Sequence, residues 1–166
     1  AADTMNLWID IAKDDLVRLL GRLDGLFLND EEAEQLTGES SILSAVAALQ
    51  AMGPRLVVVK RGEHGALVAL GSEQFFVPAF PVERVVDPTG AGDTFAGAFM
   101  AHLTAQNDFS MPSVRQAAVL GTIVASFCVE GFGVERTDGL TLQDVQARYE
   151  AFEALTRYDR IDLGSS

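Results

Sequence analysis

The chain has 166 residues, of which 48% are hydrophobic, and its 24 acidic residues outnumber its 12 lysines and arginines, for a net charge of −12. A chain of this length can bury the core of a single domain, so folding need not depend on disulfides. The negative charge would repel a polyphosphate backbone and argues against nucleic-acid binding.

The sequence shows no membrane or export signal. No apolar run reaches the roughly 18 residues that a bilayer-crossing helix needs. The first residues also lack the basic and then apolar pattern of a signal sequence. We therefore expect a cytoplasmic protein without membrane contact.

The cysteine and the histidines give no sign of a metal or thiol centre. Cys128 lies in an apolar segment and cannot form an internal bridge, which favours a buried structural thiol in a reducing compartment over a catalytic cysteine. His64 and His102 have no partner at the spacing of metal ligands. We expect a surface position for His64 and a half-buried helical position for His102.

Short apolar runs alternate with amphipathic segments over the first 60 residues. This pattern is typical of βα units and predicts an α/β fold with a largely parallel sheet flanked by helices. The predicted strands are Ala2–Thr4, Leu26–Leu28 and Leu56–Lys60. The predicted helices between them are Asp14–Leu23, Asp30–Thr37 and Ser41–Met52.

The pattern changes after Lys60. Two short runs rich in Val and Phe, Gly65–Leu70 and Gln74–Pro78, flank the turn residues Gly71–Glu73. They predict an antiparallel hairpin at one edge of the sheet.

Three helices are predicted in the last part of the chain, at Thr94–Ala105, Pro112–Gly131 and Thr141–Leu155. Gly97 and Gly121 lie inside the first two, where we expect them to permit close helix packing. The last residues, Gly164–Ser166, have the composition of a loose tail.

The segment from Val86 to Phe95 carries the clearest chemical signal. Its glycines can adopt backbone angles that other residues avoid, so the N–H groups of Gly90, Ala91 and Gly92 can point into one concavity at the positive end of the next helix. A phosphate oxygen fits such a concavity, and Asp93 beside it could accept a proton from an attacking hydroxyl. A glycine-rich turn with an acid at a helix start also forms without any ligand, and this alternative stays open.

Two other segments fit either a structural or a ligand-binding role. Asn29 and Glu32 stand three residues apart where a strand gives way to a helix, which is the spacing of a capping box. Lys60, Gly62 and Gly65 could form only a strand end and a tight turn. If that strand belongs to one parallel sheet, however, Lys60 lies near the glycine-rich turn, where open α/β folds bind ligands.

Two further places favour structural roles on sequence alone. Asp3, at the end of the first strand, could serve only to close the following turn. Phe132 and Gly133 follow a long helix, and glycines there are typical of a helix C-terminus.

The sequence resembles the ribokinase-like (PfkB-type) carbohydrate kinases. Asp87–Phe95 is similar to that family's signature, Asp-Thr-x-Gly-Ala-Gly-Asp-x-Phe, with Pro88 where Thr is usual. Three further segments follow in the family's order, Asp3–Asn6, Asn29–Glu32 and Lys60–Gly65. The resemblance spans essentially the whole chain and corresponds to the later part of such a kinase.

The resemblance implies transfer of a phosphoryl group from ATP to a hydroxyl of a sugar, a related polyol or a nucleoside, with Asp93 as the base. The nucleotide-binding residues that it implies are Asn6, Lys60, Gly62, Gly65, Phe132 and Gly133. The residues that it implies for placing Mg²⁺ and the phosphates, often through water, are Asn29 and Glu32. Some members of the family also hold a monovalent cation at the start of the signature, so Asp87 and Thr89 could hold K⁺.

The resemblance also bears on domain organisation. No segment can be assigned to the family's early substrate-binding part or to its small β-lid, so we expect residues 1–166 to form one nucleotide-binding and catalytic domain without them. A homodimer through such a lid is compatible with the resemblance. The alternative is a nucleotide-binding module with no activity of its own, either a fragment or a subunit that needs a partner.

Overall fold

The structure, a computed structural model, describes residues 1–162, so the predicted tail Gly164–Ser166 lies outside the described residues. The strands are β1 (Ala2–Asp3), β2 (Gly25–Asn29), β3 (Leu56–Lys60), β4 (Ala66–Leu70) and β5 (Glu73–Val77). The helices are α1 (Asn6–Ile11), α2 (Lys13–Leu20), α3 (Asp30–Thr37), α4 (Ile42–Ala51), α5 (Ala91–Gln106), α6 (Met111–Cys128) and α7 (Leu142–Thr156).

The strands form one mixed sheet in the order β1-β2-β3-β4-β5. β1, β2 and β3 are parallel, whereas β4 pairs antiparallel with both β3 and β5. The α/β fold and the edge hairpin are therefore confirmed. The register places Asn29 opposite Lys60, so the carboxyl ends of β2 and β3 lie side by side.

Helices cover both faces of the sheet. Side chains alternate along a strand, so Phe27 of β2 joins one core cluster while Leu26 and Leu28 join the other. The Phe27 cluster contains residues of α5, α6 and α7, and the second cluster contains residues of α1 to α4. Phe27 meets Phe99 of α5 edge to face, with 5.2 Å between the ring centroids. The central strands β2, β3 and β4 are thus buried on both faces, whereas most residues of the edge strand β5 are exposed.

The helix boundaries differ from the predicted ones where local backbone geometry decides. α5 begins at Ala91 rather than Thr94 because Gly90 caps it in the left-handed conformation, with φ 81°. α2 ends at Leu20, before Gly21. α1 was not predicted; it has only six residues, with Ile9 alone buried, and is too short to show a helical period.

The two helical glycines have different surroundings. A Cβ built at Gly121 would lie 3.0 Å from Phe95 Cδ2 and from the Phe95 carbonyl oxygen, which confirms close packing of α6 on α5. A Cβ at Gly97 would meet no atom within 4 Å. The prediction of close packing at Gly97 is therefore wrong.

The predicted environments of the cysteine and the histidines are confirmed. Cys128 is buried. His64 is exposed, and the half-buried His102 has its Nε2 atom 3.3 Å from Gln116 Oε1. Between residues 1 and 162, no helix combines the length and the apolar character needed to cross a membrane.

We predict that Gly121→Ala lowers the free energy of unfolding by about 1 to 3 kcal/mol, because the added methyl group overpacks against Phe95. Gly97→Ala is the matched control. It should raise the free energy of unfolding by up to about 1 kcal/mol, since alanine favours the helix and the space is open. Urea denaturation measures both free energies, and equal effects of the two substitutions would contradict close packing at Gly121 and open space at Gly97.

Candidate active site

The glycine-rich turn is attached to the end of α6. The N–H groups of Val86 and Asp87 both donate to the Val129 carbonyl oxygen, at 2.8 and 3.3 Å. The Cys128 thiol donates to the Thr89 carbonyl oxygen at 3.6 Å. The end of α6 therefore forms the floor of the turn, a long-range contact that no sequence pattern indicated.

The first turn of α5 offers backbone N–H groups to solvent. Thr94 N–H donates to the Gly90 carbonyl oxygen at 2.9 Å, and Ala91 N–H donates to that of Pro88 at 3.2 Å. Within residues 1–162, the N–H groups of Gly92 and Asp93 have no hydrogen-bond partner. Free N–H groups at a helix N-terminus, together with the helix dipole, can bind an anion.

Lys60 lies beside this helix end. A Cβ built at Gly92 would be 3.1 Å from Lys60 Nζ, so the ammonium group contacts the first turn of α5 directly. Lys60 Nζ also pairs with Asp3 Oδ2 at 2.5 Å, and the Lys60 side chain is only 17% exposed. The expected approach of the β3 end to the turn is confirmed. The role of Asp3 was missed, because pairing with Lys60 depends on β1 and β3 flanking β2 and not on sequence spacing.

Asp93 occupies the first turn of α5 and is exposed. Its carboxylate forms no hydrogen bond or ion pair with any residue from 1 to 162. It is therefore free to accept a hydrogen bond from a ligand beside the N–H groups of the same helix turn.

Glu32 is fixed as the predicted capping box requires. Glu32 N–H donates to Asn29 Oδ1 at 2.7 Å, and Asn29 N–H donates to Glu32 Oε2 at 2.9 Å. The Thr4 hydroxyl donates to the same carboxylate oxygen at 3.1 Å, and Glu32 is 5% exposed. The capping role is confirmed, and the role in placing Mg²⁺ stays a prediction.

Asp87 and Thr89 stabilise the turn between them. Asp87 Oδ1 accepts the Thr89 N–H at 2.9 Å. This backbone hydrogen bond lowers the pKa of the Asp87 carboxyl. A hydrogen bond from the Thr89 side chain lowers the pKa further, by a smaller amount. The K⁺ site at these residues stays a prediction.

The segment after Lys60 is a 3₁₀ turn at Gly62–His64. Gly65, with φ 85°, has no room for a side chain, because a Cβ there would lie 2.1 Å from the Val77 carbonyl oxygen. Gly62 also has a positive φ, 52°, but a Cβ there would meet nothing within 4 Å. Gly65 is thus required by the packing of β4 beside the end of β5, whereas Gly62 borders open space.

The remaining predicted nucleotide residues lie on the surface. Asn6 is the first residue of α1, just beyond the carboxyl end of β1, and is exposed. Phe132 is 62% exposed, and its N–H donates to Glu135 Oε2 at 3.2 Å. Gly133 follows in the left-handed conformation, with φ 55°. The Phe132–Gly133 loop and the glycine-rich turn share one support, the end of α6 at Cys128 to Glu130.

Residues 3–138 match the sequence pattern of a family described as pfkB family carbohydrate kinase. The chain is 45% identical to a cytidine kinase of Thermococcus kodakarensis over 94 residues, which cover 55% of this chain and 34% of that protein. It is 38% identical to a fructokinase of Klebsiella pneumoniae over 103 residues, which cover 60% of this chain and 33% of that protein.

A solved structure is also similar to this chain. A candidate ribokinase II of Escherichia coli, in complex with ATP and Mg²⁺, superposes with a TM-score of 0.73 at 29% identity, over 90% of this chain and 47% of that one. The matched region spans about a third of the length of the two curated relatives and under half of the solved structure.

We predict that the Asp87 carboxyl titrates below the pKa of an unfolded aspartate, as carbon-detected NMR can measure. A pKa lowered by folding favours the folded state above the unfolded pKa, and this contribution is lost as the pH falls through the folded value. Thr89→Val is the control. It removes only the hydroxyl, so most of the lowering should persist, and an ordinary pKa in the unsubstituted chain would contradict the turn geometry.

Proposed function

Because the chain belongs to the pfkB family of carbohydrate kinases, we propose that it takes part in transfer of the γ-phosphoryl group of ATP to a hydroxyl of a sugar, a related polyol or a nucleoside. The observation that carries this proposal is the group formed by Lys60 Nζ and the free N–H groups of Gly92 and Asp93. It places the Lys60 ammonium group beside two unpaired N–H groups at a helix N-terminus, next to the Asp93 carboxylate, which has no other partner within residues 1–162.

These donors suit the charge that phosphoryl transfer develops. In the transition state, negative charge spreads over the oxygens of the transferred group, and fixed donors stabilise it without reorganising. Gly92 and Asp93 would donate N–H groups to these oxygens, and Lys60 would exchange its ion pair with Asp3 for one with phosphate. The N–H of Ala91 contributes less than the sequence suggested, because it already donates to Pro88.

Asp93 would act as the base. Its carboxylate accepts the proton of the acceptor hydroxyl while the hydroxyl oxygen forms a bond to the γ-phosphorus. The bond between that phosphorus and the bridging oxygen of ADP breaks, and ADP leaves with the electron pair. The exposed position of Asp93, free of other hydrogen bonds, leaves it available for this role.

Glu32 and Asn29 suit an Mg²⁺ ion that is also bound to the phosphates of the nucleotide. Residues 1–162 contain no group of three or more His, Cys, Asp or Glu side chains that could hold a metal ion. Mg²⁺ is commonly held by one or two carboxylates, substrate phosphates and several waters, which matches a single fixed Glu32. When bound, the ion neutralises charge on the β- and γ-phosphates. Glu32 and Asn29 would hold it through water.

The acceptor is proposed only as a class. One relative is a cytidine kinase and another a fructokinase, so the acceptors of the relatives include a nucleoside and a sugar. Both offer a hydroxyl group as the nucleophile, which is the feature that Asp93 would recognise.

We predict that the chain binds ATP·Mg²⁺ and that Lys60→Met weakens the affinity about ten- to a hundredfold, the range expected when a hydrogen bond to a charged group is lost. Calorimetric titration measures this. Lys13→Met is the matched control, since it removes the same charge from an exposed lysine that donates to the Gln35 carbonyl oxygen. Equal losses in both variants would show a net charge effect only.

The same titration tests Glu32. Glu32→Gln should raise the Mg²⁺ concentration needed for ATP binding, whereas a side chain that serves only as a cap would leave this requirement unchanged. Absence of ATP binding to the unsubstituted chain would contradict the proposed function.

Turnover of sugars or nucleosides by this chain alone is not expected. Holding the acceptor in line can lower the barrier by on the order of 7 kcal/mol, and no segment is assigned to that task.

We predict that Asp93→Asn lowers turnover roughly 10²- to 10⁴-fold in a form of the protein that phosphorylates its acceptor, while ATP affinity stays nearly the same. Asparagine keeps the shape of the side chain but cannot take the proton. A coupled assay of ADP release measures turnover. Near-normal turnover of Asp93→Asn would exclude Asp93 as the base.

A further inference from the structure

We propose that Arg148 is a positioning residue for the nucleotide site, and that α7 is therefore part of the frame of that site. The inference rests on the proposed function, since it concerns how the same site is held. α7 spans Leu142–Thr156 and lies beyond residue 138, where the family match ends. The family pattern therefore assigns no role to this helix.

Arg148 clamps the last turn of α6. Its Nη1 donates to Ser126 Oγ at 3.0 Å, and its Nη2 donates to both carboxylate oxygens of Glu130, at 2.9 and 3.2 Å. The guanidinium carbon lies 3.5 Å from the ring centroid of Phe127 and 5.1 Å from that of Phe80. With its side chain 15% exposed, the guanidinium group is held by hydrogen bonds to Ser126 and Glu130 and by two aromatic rings.

The segment that Arg148 clamps supports the phosphate end of the site. Val129 lies between Phe127 and Glu130, two partners of Arg148, and its carbonyl oxygen accepts the N–H groups of Val86 and Asp87. A shift of this oxygen would move the start of the glycine-rich turn, and with it the donors at Gly92. Misplacement of reacting groups by about 1 Å can cost a hundredfold in rate.

The same segment supports the loop that would border the base of the nucleotide. Glu130 precedes the Phe132–Gly133 loop and also pairs with Arg136 at 3.7 Å, a residue on the far side of that loop. Gly131 packs against Arg136, since a Cβ there would lie 2.5 Å from Arg136 Cγ. Without Arg148, the partly buried Glu130 carboxylate would keep, among residues 1–162, only the more distant and more exposed Arg136 as an ion-pair partner, and the loop would shift with it.

The test compares Arg148→Lys and Arg148→Met with a control on the same helix. Lysine keeps the charge but cannot donate to Ser126 and Glu130 at once in the planar geometry of the guanidinium group. Gln146→Ala is the control, because within residues 1–162 the Gln146 side chain hydrogen-bonds only to Glu150, on the exposed side of α7. ATP·Mg²⁺ affinity is measured by calorimetry well below the melting temperature, and hydrogen exchange is followed at the amides of Val86 and Asp87.

Both Arg148 variants should weaken ATP·Mg²⁺ affinity at least tenfold and speed exchange at Val86 and Asp87, with Gln146→Ala unchanged in both measurements. If Arg148→Met does not fold, two milder variants give the result: Arg148→Lys, which keeps the charge but loses the planar geometry, and Glu130→Gln, which removes the charged partner. A fall in melting temperature with unchanged affinity and unchanged exchange would overturn the proposal, because Arg148 would then be a stabilising contact only.

The two measurements separate this inference from the proposed function. Failure of the unsubstituted chain to bind ATP·Mg²⁺ would contradict the proposed function and, with it, the assignment of Arg148 to a nucleotide site. Exchange at Val86 and Asp87 would still report whether Arg148 positions the turn. Normal binding with unaltered exchange in both Arg148 variants would overturn the inference alone.

Discussion

The candidate site depends on the left-handed backbone of Gly90. With φ 81° at this residue, the chain leaves the turn and begins α5 at the next position. A residue with a side chain would lose roughly 1 to 2 kcal/mol in that conformation. Gly92 has a different role, since a Cβ there would lie 3.1 Å from the Lys60 ammonium nitrogen and crowd it. Gly90 thus sets the direction of the backbone, whereas Gly92 leaves space for the Lys60 side chain.

The candidate site carries a local positive charge in an otherwise acidic protein. The chain carries a net charge of −12, yet one of its two lysines lies at the positive end of α5. The ion pair with Asp3 balances this charge in the absence of a ligand. Nearby charges and oriented N–H dipoles act on a bound anion more strongly than the distant acidic residues do. An anion can therefore bind at this site although the protein as a whole repels it.

Local patterns predicted those parts of the molecule that local interactions determine. β3, α3 and the capping box at Asn29 occur where the sequence indicates, because apolar periodicity and side-chain caps act within a few residues. The Asp3 and Lys60 pair joins residues 57 positions apart, and Val129 supports Val86 through a backbone carbonyl that any residue would offer. Such contacts arise from the three-dimensional arrangement of the strands and helices. The same limit applies to the short helix α1, whose six residues hold too little periodicity to be recognised.

The capping box at Glu32 has a thermodynamic consequence for any ligand that uses this carboxylate. A free glutamate side chain loses conformational entropy worth about 1.5 kcal/mol when it is immobilised. Here the hydroxyl of Thr4 and the backbone of Asn29 restrict Glu32 when the chain folds. That loss of entropy therefore belongs to folding and not to association. A ligand contacting Glu32 would meet a group that is already oriented, and its binding constant would not carry the cost of ordering it.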